Sequence, residues 1–259
     1  MKPKFSFSQI DLYLRCPKAY EFCYVKKIPQ KFSIYAHFWS IIHNVLQKFF
    51  ELKKENLEAP QLFWDLFWDP EKNYSDDSLE KLLEIFNEKF NWENFWDEAE
   101  NFFERWKNIL ENFFYDEKNF SDEKKIPFLI EKKFQINFWD FFINWRFDRV
   151  DKIWENSYEI IDYKTWKLRT KNLVKEDLQL WLYCVALQRN WYNPEKAHLY
   201  FLDHWEKFYF EITKENLEKS KETCKKFFEN LNKKNFPAKA EKSKCKHCSY
   251  KNYCEFKEN

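Results

Sequence analysis

Two residues in the stretch "EIIDYKTWK" can do chemistry together. Asp162 and Lys164 stand two apart at the end of an apolar run. In a β-strand, residues i and i+2 face the same way, so a carboxylate and an ammonium project to one point. Asp148, in "RFDRVDKI", falls in the preceding strand pattern and can reach that point. Two carboxylates and an ammonium converging at a strand end suit a divalent cation, an activated water and a phosphate. Alone, Asp-x-Lys is weak, since most such pairs are surface charges on a strand. A second group is Cys245, Cys248 and Cys254, a C-x2-C-x5-C pattern in the last 15 residues. Three thiolates at this spacing make a metal site short of one ligand, and His247 among them offers itself to zinc.

The elements that must position these groups follow from periodicity. Ser6 or Ser8 can cap a helix in "SFSQIDLYLRCPKAY", where Ile10, Tyr13 and Leu14 recur at helical spacing and Pro17 interrupts after Cys16. "AHFWSIIHNVLQKFFELKK" reads as an amphipathic helix bearing His43. Residues 51–125 form an acidic, Phe-rich, mostly helical stretch broken at Pro60 and Pro70, an expected helical insertion. The pattern then switches to strands in "IPFLIEKKFQI", "DFFINWRFDRVDKI" and "SYEIIDYK". A helix follows in "EDLQLWLYCVALQ", then strands "KAHLYFL" and "KFYFEI", a charged helix over about 214–232, and a cysteine-rich segment, 236–259. Strands with flanking helices predict an α/β domain spanning 1–259, a central mixed sheet flanked by helices.

Composition narrows the class and adds an anomaly. The chain carries a net charge of +1, but residues 51–125 hold 21 acidic and 10 basic side chains, so the remainder is basic by +12. A basic body suits a polyanionic partner, although each charge run also reads as a solvated helix face. No apolar run approaches the roughly 20 residues of a membrane span. The cytoplasm is the expected compartment, where cysteines serve as thiols or metal ligands. No phosphate loop of an intrinsic motor is visible. The 30 phenylalanines could stack bases, but at helical spacing they read as core.

The anomaly is that the chain has no glycine and 13 tryptophans. Ordinary usage of about 7% would give roughly 18 glycines. The tryptophans sit where turns belong: after asparagine at Trp92, Trp145 and Trp191, and before aspartate at Trp64, Trp68, Trp96 and Trp139. Trp166 and Trp205 fall where strands should turn. One genetic mechanism accounts for this. A UGA codon that the source reads as glycine, translated with a table that reads it as tryptophan, gives this composition. The codons at these positions decide the matter.

Taken together, "SFSQIDLYLRCPKAY", "FWSIIH", "NWRFDRVD", "IIDYKTWK" and "QLWLY" resemble the motifs of the PD-(D/E)XK nuclease superfamily, in the branch of the RecB-like and AddB-like exonuclease domains and the CRISPR adaptation exonucleases. The resemblance covers nearly the whole chain apart from the helical insertion, and expects glycine at Trp39, Trp145 and Trp166. It implies a restriction-endonuclease-like core. It implies Asp148 and Asp162 as ligands of Mg²⁺ or Mn²⁺, with the Tyr163 carbonyl as a third and His43 as a ligand or its partner. Lys164 would orient the attacking water and steady charge on the phosphate. Gln179 and Tyr183, one helical turn apart, would support Lys164 or the DNA backbone. Glu131 matches an acidic position of the family. Asp151 is the rival of Asp148, and the spacing after the expected glycine selects Asp148. Iron–sulfur members of the family implicate Cys16 with Cys245, Cys248 and Cys254 around a 4Fe–4S cluster that staples the chain ends, the same residues being a zinc set in the alternative. Cys23, Cys184 and Cys224 read as ordinary thiols.

The function this implies is a metal-dependent DNA exonuclease acting on single-stranded ends, in recombination repair or CRISPR adaptation, with a helicase or an adaptation protein as partner. The alternatives are a non-catalytic, DNA-end-binding iron–sulfur module of a helicase–nuclease complex, and a zinc-binding nucleic-acid adaptor.

Overall fold

The computed structural model describes residues 2–30, 33–58, 78–91, 93, 95, 99–120, 126–138, 140–165 and 177–258. Its helices are α1 (Phe7–Arg15), α2 (Pro17–Tyr20), α3 (Ile34–Glu58), α4 (Leu79–Lys89), α5 (Ala99–Phe120), α6 (Leu178–Arg189), α7 (Lys214–Asn232) and the short α8 (Lys242–Cys245). Its strands are β1 (Lys4–Ser6), β2 (Ile126–Ile130), β3 (Lys133–Phe138), β4 (Phe141–Arg146), β5 (Arg149–Trp154), β6 (Ser157–Lys164), β7 (Asn193–Phe201) and β8 (Glu206–Phe210). The chain is thus mixed α/β with two mixed sheets. No helix among the described residues is long and apolar enough to cross a membrane.

The fold divides into two compact units. One comprises Met1–Ser33, Lys133–Trp145 and Thr213–Asn259; the other comprises Ile34–Lys132 and Arg146–Ile212. In the first, Ser6 rather than Ser8 caps α1, in a reciprocal capping box with Gln9. Pro17 then starts α2, where a missing N–H costs nothing. Strand β1, which helical spacing alone did not suggest, lies parallel to β4 in a sheet of order β1-β4-β3. Rings of Phe5, Tyr13, Tyr20 and Phe227 meet edge to face at 5.2–5.8 Å and tie α1 and α2 to α7.

The second unit is built on a five-stranded sheet of order β2-β5-β6-β7-β8. Strands β6 and β7 run parallel, joined through α6, and the other neighbours pair antiparallel. Strand β6 is buried from Tyr158 to Tyr163, which is why its sequence reads as a near-continuous apolar run. Helices α3, α4 and α5 share one core with it: Phe38, Phe50, Phe86, Phe95 and Phe113 pack with Ile161, Tyr163 and Tyr200. Truncating one such ring to alanine costs about 3–5 kcal/mol.

Two stretches that alternate without interruption in the sequence are broken in the structure. "IPFLIEKKFQI" divides at Glu131 into β2 and β3, and "DFFINWRFDRVDKI" divides at Phe147 and Asp148 into β4 and β5. The two halves of each belong to different sheets. Glu131 takes φ 46°, a left-handed conformation that redirects the chain. Asp148 therefore stands in a link between strands rather than on a strand. Trp191 and Trp205 also take positive φ, at 66° and 54°, and are 89% and 51% exposed. Glycine adopts that conformation without cost, whereas an indole there gains little burial. Trp106 and Trp181, by contrast, are buried. Trp139 and Trp166 lie outside the described residues.

Candidate metal centre

Five parts of the second unit bring the site together. Strand β6 supplies Asp162 and Lys164 on one face, and the break before β5 supplies Asp148. The break after β2 supplies Glu131, and the middle of α3 supplies His43. Helix α6, capped by Asp177 through the Leu180 N–H, supplies Gln179 and Tyr183.

His43 Nδ1 stands 2.7 Å from Glu131 Oε1 and 3.7 Å from Asp148 Oδ1. These three residues offer ligand atoms that all lie within 4.8 Å of one another, the set of that kind found among the described residues. An ionised carboxylate only accepts, so Nδ1 carries a proton, and in the neutral imidazole Nε2 offers its lone pair. That Nε2 is buried and has no hydrogen-bond partner among the described residues. Asp148 Oδ2 accepts the Tyr163 N–H at 2.9 Å, and its Oδ1 takes the Tyr183 hydroxyl at 3.4 Å. The Lys164 ammonium pairs with Asp162, donates to Gln179 Oε1 at 3.1 Å and lies 3.9 Å from Asp177. Gln179 Nε2 in turn donates to the Tyr183 hydroxyl at 2.7 Å. A chain of contacts thus runs from Lys164 through Gln179 and Tyr183 to Asp148.

Electrostatics mark these carboxylates as costly to hold ionised. Asp162 is fully buried, its Oδ2 held by the Lys164 ammonium and its Oδ1 without a hydrogen-bond partner among the described residues. Burial, with Asp148 and Asp177 nearby, pushes its pKa up to about 8, although the Lys164 ammonium opposes the shift. Burial also raises Asp148, against the pull of His43. Burial opposes charge on His43, but Asp148, Glu131 and Asp162 outweigh it and hold the imidazole above its ordinary pKa. A buried Asp162 oxygen and an imidazole nitrogen left open, around a concentration of carboxylates, fit a hard divalent cation. When bound, such a cation supplies Lewis-acid polarisation and a more acidic water.

The structure brings together His43, Glu131, Asp148, Asp162, Lys164, Gln179 and Tyr183. Tyr163 contributes its amide to Asp148, while its side chain turns into the core toward Arg149. Asp151 stands apart, with both oxygens held by Arg149 in a buried bidentate pair. Arg149 also donates to Glu117 at 2.7 Å and lies 3.9 Å over the Phe50 ring. Sequence reasoning missed Asp177 and Arg146, which lies 3.1 Å from Glu131. The only signal for Asp177 was its place before the apolar run of α6, where a capping residue belongs. Trp39 lies over His43, with ring centroids 3.8 Å apart.

The cysteines gather in the first unit. Cys16, Cys245, Cys248 and Cys254 line one apolar cleft. Cys16 Sγ accepts the Lys239 N–H at 3.5 Å. Burial pushes the Cys248 thiol up, reinforced by the other three sulfurs. Cys184 and Cys224 are buried elsewhere, the latter pushed up to about 12, and Cys23 lies outside the cleft lining.

Comparison with known proteins agrees with this geometry. No curated protein matches the chain. A solved structure, the crystal structure of SSO0001, aligns over 83% of this chain and 98% of that one at 17% identity, with a TM-score of 0.39. The model of the PD-(D/E)XK nuclease superfamily matches residues 4–255. Members of that family are nucleases that use divalent metals and bind nucleic acid. Nearly the whole chain, including the carboxylates, lysine and cysteines described above, therefore belongs to the PD-(D/E)XK nuclease superfamily.

Proposed function

We propose that the chain is a Mg²⁺- or Mn²⁺-dependent deoxyribonuclease that hydrolyses phosphodiester bonds at single-stranded DNA ends, working in recombination repair or CRISPR adaptation beside a helicase or adaptation partner. The observation that carries the reading is the buried convergence of His43, Glu131 and Asp148, with Asp162 held beside them by Lys164 and His43 Nε2 left without a hydrogen-bond partner among the described residues. Asp148, Asp162 and His43 would hold the cation, with the Tyr163 carbonyl completing the set. Glu131 orients His43 through Nδ1, as carboxylates orient metal-binding imidazoles elsewhere. Lys164, held by Gln179, places a fixed positive charge where a phosphate becomes more negative during hydrolysis. Asp162→Asn should abolish Mg²⁺-dependent degradation of DNA while leaving DNA binding intact. Unchanged degradation by that variant would remove the site from the chemistry.

The cysteine cleft belongs to the same proposal as a 4Fe–4S site. Four thiols converging on one apolar cleft suit a multi-iron cluster held by cysteine thiolates. Protein prepared without oxygen should be brown, with iron and sulfide in equal amounts. Colourless protein with one zinc ion would replace the cluster with the zinc alternative.

One observation favours the second reading, a DNA-end-binding module without catalysis. If Trp39 is a true tryptophan, its indole covers a face of His43. Activity that appears only on Trp39→Gly would show that the glycine is the native residue.

A further inference from the structure

Glu131 divides its carboxylate between two partners. Its Oε1 stands 2.7 Å from His43 Nδ1, and its Oε2 accepts from Arg146 Nη1 at 3.1 Å. Arg146, the last residue of β4, is therefore set one carboxylate away from His43. The backbone fixes that placement. The Glu131 N–H donates to the Asp148 carbonyl, and the Phe147 N–H donates to the Lys132 carbonyl, each at 3.0 Å. The two chain breaks that deliver Glu131 and Asp148 are thus held side by side, and Arg146 directly precedes them.

Exposure separates this cation from the other one at the site. The Glu131 side chain is 8% exposed, but that of Arg146 is 47% exposed. Lys164 is largely covered, and its ammonium is engaged by Asp162 and Gln179 with Asp177 close by. A guanidinium carries five N–H donors in a fork that matches a phosphate, and Glu131 takes a single one at Nη1. An ion pair with so exposed a partner adds little to stability. Charge gives Arg146 a task instead. Glu131, Asp148, Asp162 and Asp177 place four carboxylates around the site. Lys164 and a divalent cation bring three positive charges against them, so without Arg146 the ionised site stays negative and opposes a phosphodiester.

We propose that Arg146 is a substrate-binding residue that grips a backbone phosphate of the DNA strand at the metal centre, with Glu131 holding the guanidinium in place. The inference rests on the nuclease reading for its substrate class. Glu131 then serves two groups at once, turning His43 through one oxygen and aiming Arg146 through the other. The N–H groups that Glu131 does not use donate to the phosphate oxygens. The contact reads no base, so it adds affinity and register without sequence preference.

The test is the affinity of the full chain for a labelled single strand, read by fluorescence anisotropy in Ca²⁺ over a range of salt; if Ca²⁺ supports cleavage, KM replaces the binding constant. Arg146→Gln should weaken binding about tenfold, as loss of a charge-assisted hydrogen bond does. It should also reduce the slope of log K against log salt by about 0.7, the value of one phosphate of a single strand. Arg146→Lys should keep the slope and lose less affinity. Strands carrying one uncharged methylphosphonate linkage, moved inward from either end, locate the contact. At one linkage wild type should lose about tenfold and Arg146→Gln should lose little more. Unchanged affinity and slope in Arg146→Gln, or equal losses by both proteins at every linkage, would overturn the contact. So would a fall in Mn²⁺ affinity, read by electron paramagnetic resonance without DNA, in place of the change in slope, because Arg146 would then be only a prop for Glu131. Cleavage in Mg²⁺ is scored separately. Binding that depends on Arg146 without cleavage keeps the contact and sinks the nuclease, and cleavage with binding indifferent to Arg146 does the reverse.

Discussion

The two units solve opposite physical problems. The unit with the metal centre is rich in packed phenylalanine and can hold buried charge in place. The unit with the cysteines has a smaller core, in which Ile10, Tyr13, Tyr20, Ile136 and Phe227 are prominent, and it ends in a cleft of four thiols. Their charges differ as sharply. The cysteine unit carries 21 basic and 10 acidic side chains, net +11, which against +1 for the whole chain leaves the metal unit at −10. An acidic unit repels a polyanion except where a cation sits, whereas a basic one attracts it along its length. Under the function proposed above, the difference would separate the work: the acidic unit would perform the chemistry, and the basic unit would gather the DNA and be held by its cysteine staple.

The sharpest way to break that division is to act on the chemistry alone. Lys164→Ala should lower the DNA degradation rate about 10²–10³-fold, the usual cost of removing a preorganised charge at a reacting oxygen. Far-UV circular dichroism and iron content should not change. A matching loss of iron would mean that the units are not separable in function.

Next in size is the buried ion network of the metal unit. Arg149→Met leaves Asp151 buried without its cation, and Glu117 with only Lys207, and should cost about 3–5 kcal/mol in urea unfolding. The same network gives a pH signature. Burial would raise Glu117, but Arg149 and Lys207 outweigh it and hold its pKa below 4.5. A depressed carboxylate stabilises the fold above its unfolded pKa, and that contribution is lost as pH falls through the lower folded value. Unfolding midpoints should therefore drop below about pH 4.5 in wild type and drop less in Glu117→Gln. An equal drop in both would place the acid sensitivity elsewhere.

The staple comes third. Cys254→Ser should remove the iron–sulfur absorption and make the cysteine unit sensitive to protease while the metal unit persists. Cleavage spread evenly over both units would contradict the division. Smaller again is the salt effect: each phosphate-contacting lysine of the basic unit replaced by glutamine should reduce the slope of log K against log salt by about one. The smallest change concerns turns. Trp191→Gly and Trp205→Gly should each stabilise the chain by about 1 kcal/mol, the cost of a left-handed residue with a side chain. Destabilisation would argue that these tryptophans are native.

How much of this was legible in the sequence depends on how local the signal is. Strand β6 was read with its observed bounds, because a bounded apolar run ending in Asp-x-Lys contains its own evidence. Gln179 and Tyr183 were likewise visible as one face of one helix. The breaks at Glu131 and Asp148 were not, because the alternation runs on through both. Only the left-handed Glu131 and the separation into two sheets reveal them. Those breaks are what deliver both carboxylates to His43. The Arg149 network was equally hidden, since its partner Glu117 lies 32 residues away on a helix. Glycine would have announced several turns, and the sequence has none to read.

The central claim is that the buried site around Asp162 and Lys164 cleaves DNA. The most direct test takes the chain with glycine at Trp39, Trp145 and Trp166, with and without Asp162→Asn, and follows end-labelled single-stranded DNA in Mg²⁺ and in EDTA. The account predicts degradation only with Mg²⁺ and only with Asp162, while both proteins bind the DNA. Binding by both with degradation by neither would contradict it and leave a DNA-binding module in place of an enzyme.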